Sequence, residues 1–340
     1  MKLSYRNKYI IIFLIITITT IGIILFLTAN KKTLEALITL KLTDLFYLLL
    51  LWLISLLFDG LSIYFLVKAS DENITAYTSL QTSAINYFFN MITPFSFGGQ
   101  PVMVYYLSQQ NISTGKSSSI VMTKLLLMSI WAFLGAAVAF YFNSELITSN
   151  LTVLIIFVVT GFLQTLFVLS IIFIMLFPHL FLKFFLFAGK LGQRFKLLKK
   201  TRKLKRNLII EGAAVRRSFK HYFKKHFLFF SIGIISNGIS YLALLTMLYF
   251  VFHSFGYTIP LSHAMAFTAL LFLIMGFFPT PGASGFAEGL FLLMVSKSTP
   301  VAILGISVLI WRFFTHYLSM IVGMVFSIHH LSGFILDKKK

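Results

Sequence analysis

Thr93-Pro94-Phe95-Ser96-Phe97-Gly98-Gly99-Gln100-Pro101 interrupts a hydrophobic segment, and Pro279-Thr280-Pro281-Gly282-Ala283-Ser284-Gly285-Phe286-Ala287-Glu288 interrupts another in the opposite half of the chain. Lipid tolerates broken backbone only where protein or a water-filled cavity takes over the hydrogen bonds the helix gives up. Two such breaks at corresponding places in two halves point to a transport architecture with its binding site near mid-membrane.

The composition agrees with a chain that lies mostly in lipid. Of 340 residues, 58% are hydrophobic and only 11% are charged, against about 25% in a soluble domain. There is no cysteine, which removes disulfides, thiolate metal sites and thiol redox chemistry. The net charge of +20 would suggest nucleic acid in a soluble protein. Here 15 of the 29 Lys and Arg fall between Lys183 and Lys225, opposed by Glu211 alone. One basic juxtamembrane loop is a topology signal that also meets anionic lipid headgroups. Anionic lipid at residues 183–225 is the expected partner there, and nucleic acid is not. Phe181, Leu182, Phe184, Phe185, Phe187 and Leu191 suggest a stretch lying in the interface.

Parity then fixes the topology. Tyr9 to Thr28 is long enough to cross, and Lys2, Arg6 and Lys8 precede it, so the N-terminus is expected in the cytoplasm as part of an uncleaved anchor. Further spans are expected over Leu45–Val67, Ser119–Phe142, Leu151–Phe177, Phe227–Phe252 and Val301–Ile328, with Lys338–Lys340 cytoplasmic. Ile74–Thr93 with Pro101–Gln110 reads as a broken hairpin entered from the cytoplasmic face. Ser262–Phe278 with Phe286–Val295 reads as one entered from outside. A full crossing with an extended return satisfies the same parity. The expected fold is all-α and polytopic: six full transmembrane helices and two broken, re-entrant hairpins in an inverted repeat. It forms one membrane domain over 1–340, with a first half 1–178, the basic interfacial loop 179–226 and a second half 227–340. No letter-by-letter repeat is apparent.

Ionisable side chains at the centre of a membrane helix cost about 2.5–3.5 kcal/mol each on insertion scales. Asp59, Lys124, Glu288 and Arg312 are therefore expected to face inward and to neutralise one another in part. Helical spacing supports this. Asp59 shares a stripe with Trp52, Ser55 and Ser62; Lys124 with Ser117 and Trp131; Arg312 with Gly305, His316, Ser319 and Gly323. Thr75, Ser79, Thr82, Asn86 and Asn90 make a polar line along the first broken helix, and Asn237, Ser240 and Tyr241 another later on. Such Ser, Thr and Asn residues also glue membrane helices together without any ligand. A helix restarting after each break offers unpaired N–H groups suited to an anion. The candidate substrate-binding residues are thus Asn90, Pro94, Gly98, Gly99, Gln100, Lys124, Pro279, Pro281, Gly282, Gly285, Glu288 and Arg312, with Asp59 or Glu288 able to couple an ion or proton.

Other signals fail. Gly115-Lys116-Ser117 lacks the earlier glycine of a phosphate-binding loop, since Gln110 stands there. The eight histidines form no His-x-x-x-His pair, and nine acids in all supply no clustered carboxylates. No metal, cofactor or catalytic centre is expected.

Asn90-x-x-Thr93-Pro94-Phe95-x-x-Gly98-Gly99-Gln100-Pro101, followed by Tyr105-Tyr106-Leu107, Gly115-Lys116 and Lys124, resembles the first signature of the lysylphosphatidylglycerol synthase transmembrane (flippase-like) family. Pro279-Thr280-Pro281-Gly282, Gly285, Glu288, Trp311-Arg312 and Tyr317 resemble its second. That family includes the membrane half of bacterial multiple peptide resistance factor proteins, associated with moving aminoacylated phosphatidylglycerol between leaflets. The resemblance implies a multi-pass protein of the bacterial cytoplasmic membrane that handles lipid headgroups. Only a dozen residues follow Ile328, so the lipid-making domain of the fused proteins is expected to be absent. The leading expectation is a translocator of a lipid or lipid-linked substrate with an anionic headgroup, not an enzyme. A membrane-embedded enzyme on a lipid-linked substrate, or a membrane partner of a separate soluble synthase, stands as the alternative. Oligomerisation is left open.

Overall fold

The computed structural model describes residues 40–148, 151–177, 217, 222, 226–295 and 300–337. The expected first span, Tyr9–Thr28, most of the basic loop and Lys338–Lys340 lie outside the described residues. Those described are helical without strands, in the order α1 (Leu42–Ala69), α2 (Ala76–Ile92), α3 (Gly99–Ser108), α4 (Thr114–Phe142), α5 (Ser144–Thr148), α6 (Leu151–Leu176), α7 (Phe227–His253), α8 (Leu261–Met275), α9 (Phe286–Val295), α10 (Val301–Arg312) and α11 (Leu318–Asp337). A wider π turn over Phe313–Tyr317 joins the last two. Among the described residues five stretches are long and apolar enough to cross a membrane: α1, α4, α6, α7 and Ile303–Ile328. The chain is a polytopic α-helical membrane protein.

Helices α1 and α7 form the spine. Lys41 N–H donates to the Ser254 carbonyl (3.0 Å). Ser55 and Ser240 share a hydroxyl hydrogen bond (3.1 Å), and Ser62 Oγ donates to the Gly233 carbonyl (2.9 Å). As one strand of this register advances by 21 residues the other retreats by 21, so the two helices run antiparallel along their length. They are also the most enclosed spans, each half buried over its apolar core, whereas α6 is buried over only 17%. Leu151, Ile155, Val158, Val159, Phe162, Leu166 and Leu169 of α6 stay exposed. With no water to hide from in lipid, such side chains have no reason to turn inward, so α6 is peripheral.

The ends of the spine define the ends of the bundle. At one end Lys116 pairs with Glu72 (2.6 Å), His226 with Asp71 (2.5 Å), and Tyr222 with Ser70 (2.9 Å). At the other, His253 Nδ1 meets Asp44 Oδ1 (2.9 Å). Helix α2 starts from the first end, capped by Thr75, whose hydroxyl accepts from the Thr78 N–H (3.0 Å). Helix α8 starts from the opposite end, just after α7. The two broken elements therefore enter from opposite sides.

The first is a hairpin and not a crossing. Gly99 N–H donates to Asn90 Oδ1 (2.8 Å), and Tyr106 Oη donates to Gln81 Oε1 (2.8 Å). As α3 proceeds, its partners on α2 move backwards, so the chain returns the way it came. The turns Pro94–Ser96 and Pro281–Ala283, one from each half, pack against each other. A Cβ added at Gly282 would stand 3.0 Å from Met91 Sδ at the end of α2.

The repeat is closer than the sequence pattern suggests. Thr93-Pro94 and Thr280-Pro281 stand 187 residues apart, as do Gly98 and Gly285, and so do the starts of α3 and α9 and of α4 and α10. The backbone matches as well: Phe95 and Gly282 both have φ 58°, Ser96 has φ 54° and Ala283 has φ 53°. Two consecutive left-handed residues after Thr-Pro reverse the chain in both halves. The symmetry thus extends from pattern to backbone. Three matching letters among unrelated neighbours fall below what eye or composition detects.

Candidate functional site

Two buried ionic nodes hold the two broken helices, one against the middle of α2 and one at the second turn. In the first, Lys124 Nζ of α4 reaches Asp59 Oδ1 of α1 at 2.6 Å, and Ser83 Oγ of α2 donates to Asp59 Oδ2. Both ions are buried, so Asp59 does not reach an interface despite its place towards the end of α1. The carboxylate is thereby held by three helices at once. Close by, the hydroxyls of Ser55 and Ser240 link α1 to α7, and the Ser240 hydroxyl also donates to the Ser55 carbonyl (2.8 Å). This polar layer runs through the centre of the spine.

In the second node, Arg312 at the end of α10 donates through Nε to Glu288 Oε1 (2.7 Å). Its Nη1 and Nη2 donate to the carbonyls of Gly282 (3.2 Å) and Ala283 (3.3 Å). Glu288 Oε2 accepts the Gly285 N–H (2.7 Å). Glu288 is the third residue of α9, so its bond back to the residue before the helix is half of a capping box. Arg312 and Glu288 are each 1% exposed. A guanidinium suits this task because its planar fork can serve a carboxylate and two carbonyls together. The second turn is therefore clamped by a charge pair.

The first turn is closed differently. Thr93 Oγ1 donates to the Phe89 carbonyl (2.6 Å) and accepts the Gly98 N–H (2.9 Å), while Asn90 holds the Gly99 N–H and bonds Asn86 (3.3 Å). These are neutral bonds made within one hairpin. The space is tight: a Cβ on Gly99 would lie 2.2 Å from Asn86 Oδ1 and 2.5 Å from the Asn86 carbonyl.

The residues singled out from sequence thus sort into three groups. Asp59 with Lys124, and Glu288 with Arg312, Gly282 and Gly285, are brought together. Asn90, Gly98 and Gly99 close the first turn. Pro94 and Pro279 are exposed, Pro281 is buried in the second turn, and Gln100 Oε1 is buried without a protein partner among the described residues. Lys124 and Arg312, both candidates for substrate binding, each close on their own acid, and no hydrogen bond or ion pair joins the two nodes among the described residues. Asp59 and Glu288, considered for ion or proton coupling, are both in ion pairs. The two cations occupy nearly equivalent places in the repeat, 188 residues apart. Their acids do not, since Asp59 comes from the spine and Glu288 from the helix after the break.

Ser83 escapes the sequence reading although a signal for it exists. Ser79, Ser83, Asn86 and Asn90 recur at steps of four, three and four, a better helical stripe than one through Thr82. The π turn also escapes; in it Thr315 Oγ1 donates to the Trp311 carbonyl (2.6 Å). Such turns recur at functional sites but leave no periodicity to read.

Comparison with known proteins follows the same lines. A family model described as the lysylphosphatidylglycerol synthase TM region matches residues 10–323. A UPF0104 membrane protein of Archaeoglobus fulgidus is 27% identical over 269 residues, covering 74% of this chain and 76% of that protein.

Proposed function

We propose, since the chain belongs to the lysylphosphatidylglycerol synthase transmembrane family, that it moves a lipid or lipid-linked molecule with an anionic headgroup between leaflets. One observation carries the reading: two broken helices entering from opposite ends meet at their turns, with one buried cation on the second turn and another joined through Asp59 to the middle of the helix that leads into the first. Discontinuous helices meeting in this way are how membrane proteins present backbone and charge to a polar substrate at mid-depth. Of the two nodes, Asp59–Lys124–Ser83 is the one assigned to the headgroup. An ammonium keeps three donors and here gives one to Asp59, which leaves donors for a phosphate oxygen once a substrate reaches this buried site. Arg312 is assigned to holding the second turn. The two acids that an embedded enzyme would need as a base are both engaged, which favours transport over catalysis. In this reading the basic loop and Lys116 lie on the cytoplasmic side, in a cytoplasmic membrane.

The test is lipid movement by purified protein in proteoliposomes, read by chemical quenching of headgroup-labelled phosphatidylglycerol. The variant Asp59→Asn with Lys124→Gln removes both charges together, so neither is stranded. It is expected to unfold near the wild-type midpoint and to slow movement by about tenfold or more, the loss of one good charged contact. Wild-type rates in that variant remove the headgroup assignment. No movement by the wild type, with phosphatidylglycerol or an aminoacylated derivative, removes the function.

A further inference from the structure

The two turns share one backbone and differ in everything attached to it. Pro281, Gly282, Ala283 and Ser284 are all buried, and the left-handed positions fall on a glycine and an alanine. In the first turn Pro94 is exposed, and Phe95 and Phe97 are 46% and 42% exposed. Phe95 occupies φ 58°, ψ 8°, a region that bulky side chains rarely adopt. Its internal counterpart Gly282 meets the same geometry without that penalty.

A phenylalanine here is therefore a poor choice for the backbone. It strains the turn, and 46% of its surface is clear of the protein, so packing within the chain does not offset the strain. Strain that the surrounding structure sustains without a packing return marks a residue retained for contact. The direction of that contact is given by Phe97, whose ring packs edge-on against Phe167 of α6 (5.7 Å). Phe167 sits beside Leu163 and Leu166, which belong to the exposed apolar surface of that peripheral helix. The tip of the first turn is thus continuous with the lipid-facing belt. Its base leads back through Thr93 and Asn90 into α2, which also carries Ser83 of the first ionic node.

We propose that Phe95 and Phe97 form the contact for the glycerol and upper acyl region of a bound phospholipid. The first turn is then the substrate-facing element, and the clamped second turn is its floor. This rests on the translocator reading and adds to it a site for the apolar part of the same substrate.

The test places p-benzoylphenylalanine at 95, at 97 and, as a reference for bulk lipid, at Phe162 of α6. The full-length protein is irradiated in vesicles of equimolar phosphatidylglycerol and phosphatidylcholine, and the adducts are identified by mass spectrometry. Adducts at 95 and 97 are expected to be enriched about threefold or more in phosphatidylglycerol over those at 162. Phe95→Gly, which gives the turn its counterpart's residue, is expected to leave the melting temperature unchanged or raise it. Adducts of the same composition as at 162, or a melting temperature lowered by Phe95→Gly, overturn the proposal, the second by making Phe95 a packing residue. Enrichment in phosphatidylcholine keeps the contact and removes the anionic headgroup from the proposed function. If wild-type protein moves no lipid, translocation falls, and the adducts still decide whether a lipid sits here.

Discussion

Removing one member of the Glu288–Arg312 pair should destabilise the protein far more than its share of bonds suggests. Arg312→Ala deletes the 2.7 Å bond to Glu288 and the two bonds to the Gly282 and Ala283 carbonyls. It also leaves a carboxylate that is 1% exposed without a counter-charge. Breaking a buried pair from one side costs about 3–5 kcal/mol, because the stranded charge keeps its desolvation penalty. Glu288→Ala strands the guanidinium and frees the Gly285 N–H, with a cost of similar size. The double variant strands neither charge; it retains only the cavity and the unpaired backbone groups, each of the latter worth about 1–3 kcal/mol. The coupling in a double-mutant cycle is therefore expected at about 2–3 kcal/mol. Unfolding of purified protein in mixed micelles, followed by tryptophan fluorescence, measures it, since Trp311 adjoins the node. A coupling within about 0.5 kcal/mol of zero would mean independent sites, and the clamp as drawn would be refuted.

Two further outcomes are expected. Gly99→Ala should lower stability by about 1–3 kcal/mol, because its Cβ meets the Asn86 side chain and backbone and overpacks the hairpin; Gly161→Ala, with nothing within 4 Å, should change it by less than about 0.5 kcal/mol in the same unfolding assay. The natural chain has no cysteine, so single cysteines at exposed Asn73 and Tyr257 report orientation cleanly: an impermeant maleimide should label Tyr257→Cys in intact cells and Asn73→Cys only after permeabilisation, and the reverse pattern would invert the topology.

Much of the fold is legible because lipid imposes a length and a polarity on every span. Leu45–Val67 is expected and Leu42–Ala69 is found; Phe286–Val295 is expected and found. The ends differ by a turn where polar residues such as Thr114–Lys116 continue the helix beyond the apolar run. The inward faces were readable too, since Trp52, Ser55, Asp59 and Ser62 are all buried together. What periodicity does not carry is which helix lies opposite. Asp59 and Lys124 are 65 residues apart, and nothing local says that Lys124 meets Asp59 while Arg312 meets Glu288. The shared turn geometry was equally hidden, because a left-handed conformation on Phe95 and Ser96 runs against their preferences. Only Gly282 advertises it.

Two halves that share a backbone but not their charges are not equally rigid. The guanidinium fork holds the second turn, while its counterpart cation is spent on the spine instead. Opening the first turn breaks only the neutral bonds that Thr93 and Asn90 make within one hairpin. Asymmetry in the charges thus gives the protein one stiff joint and one compliant joint.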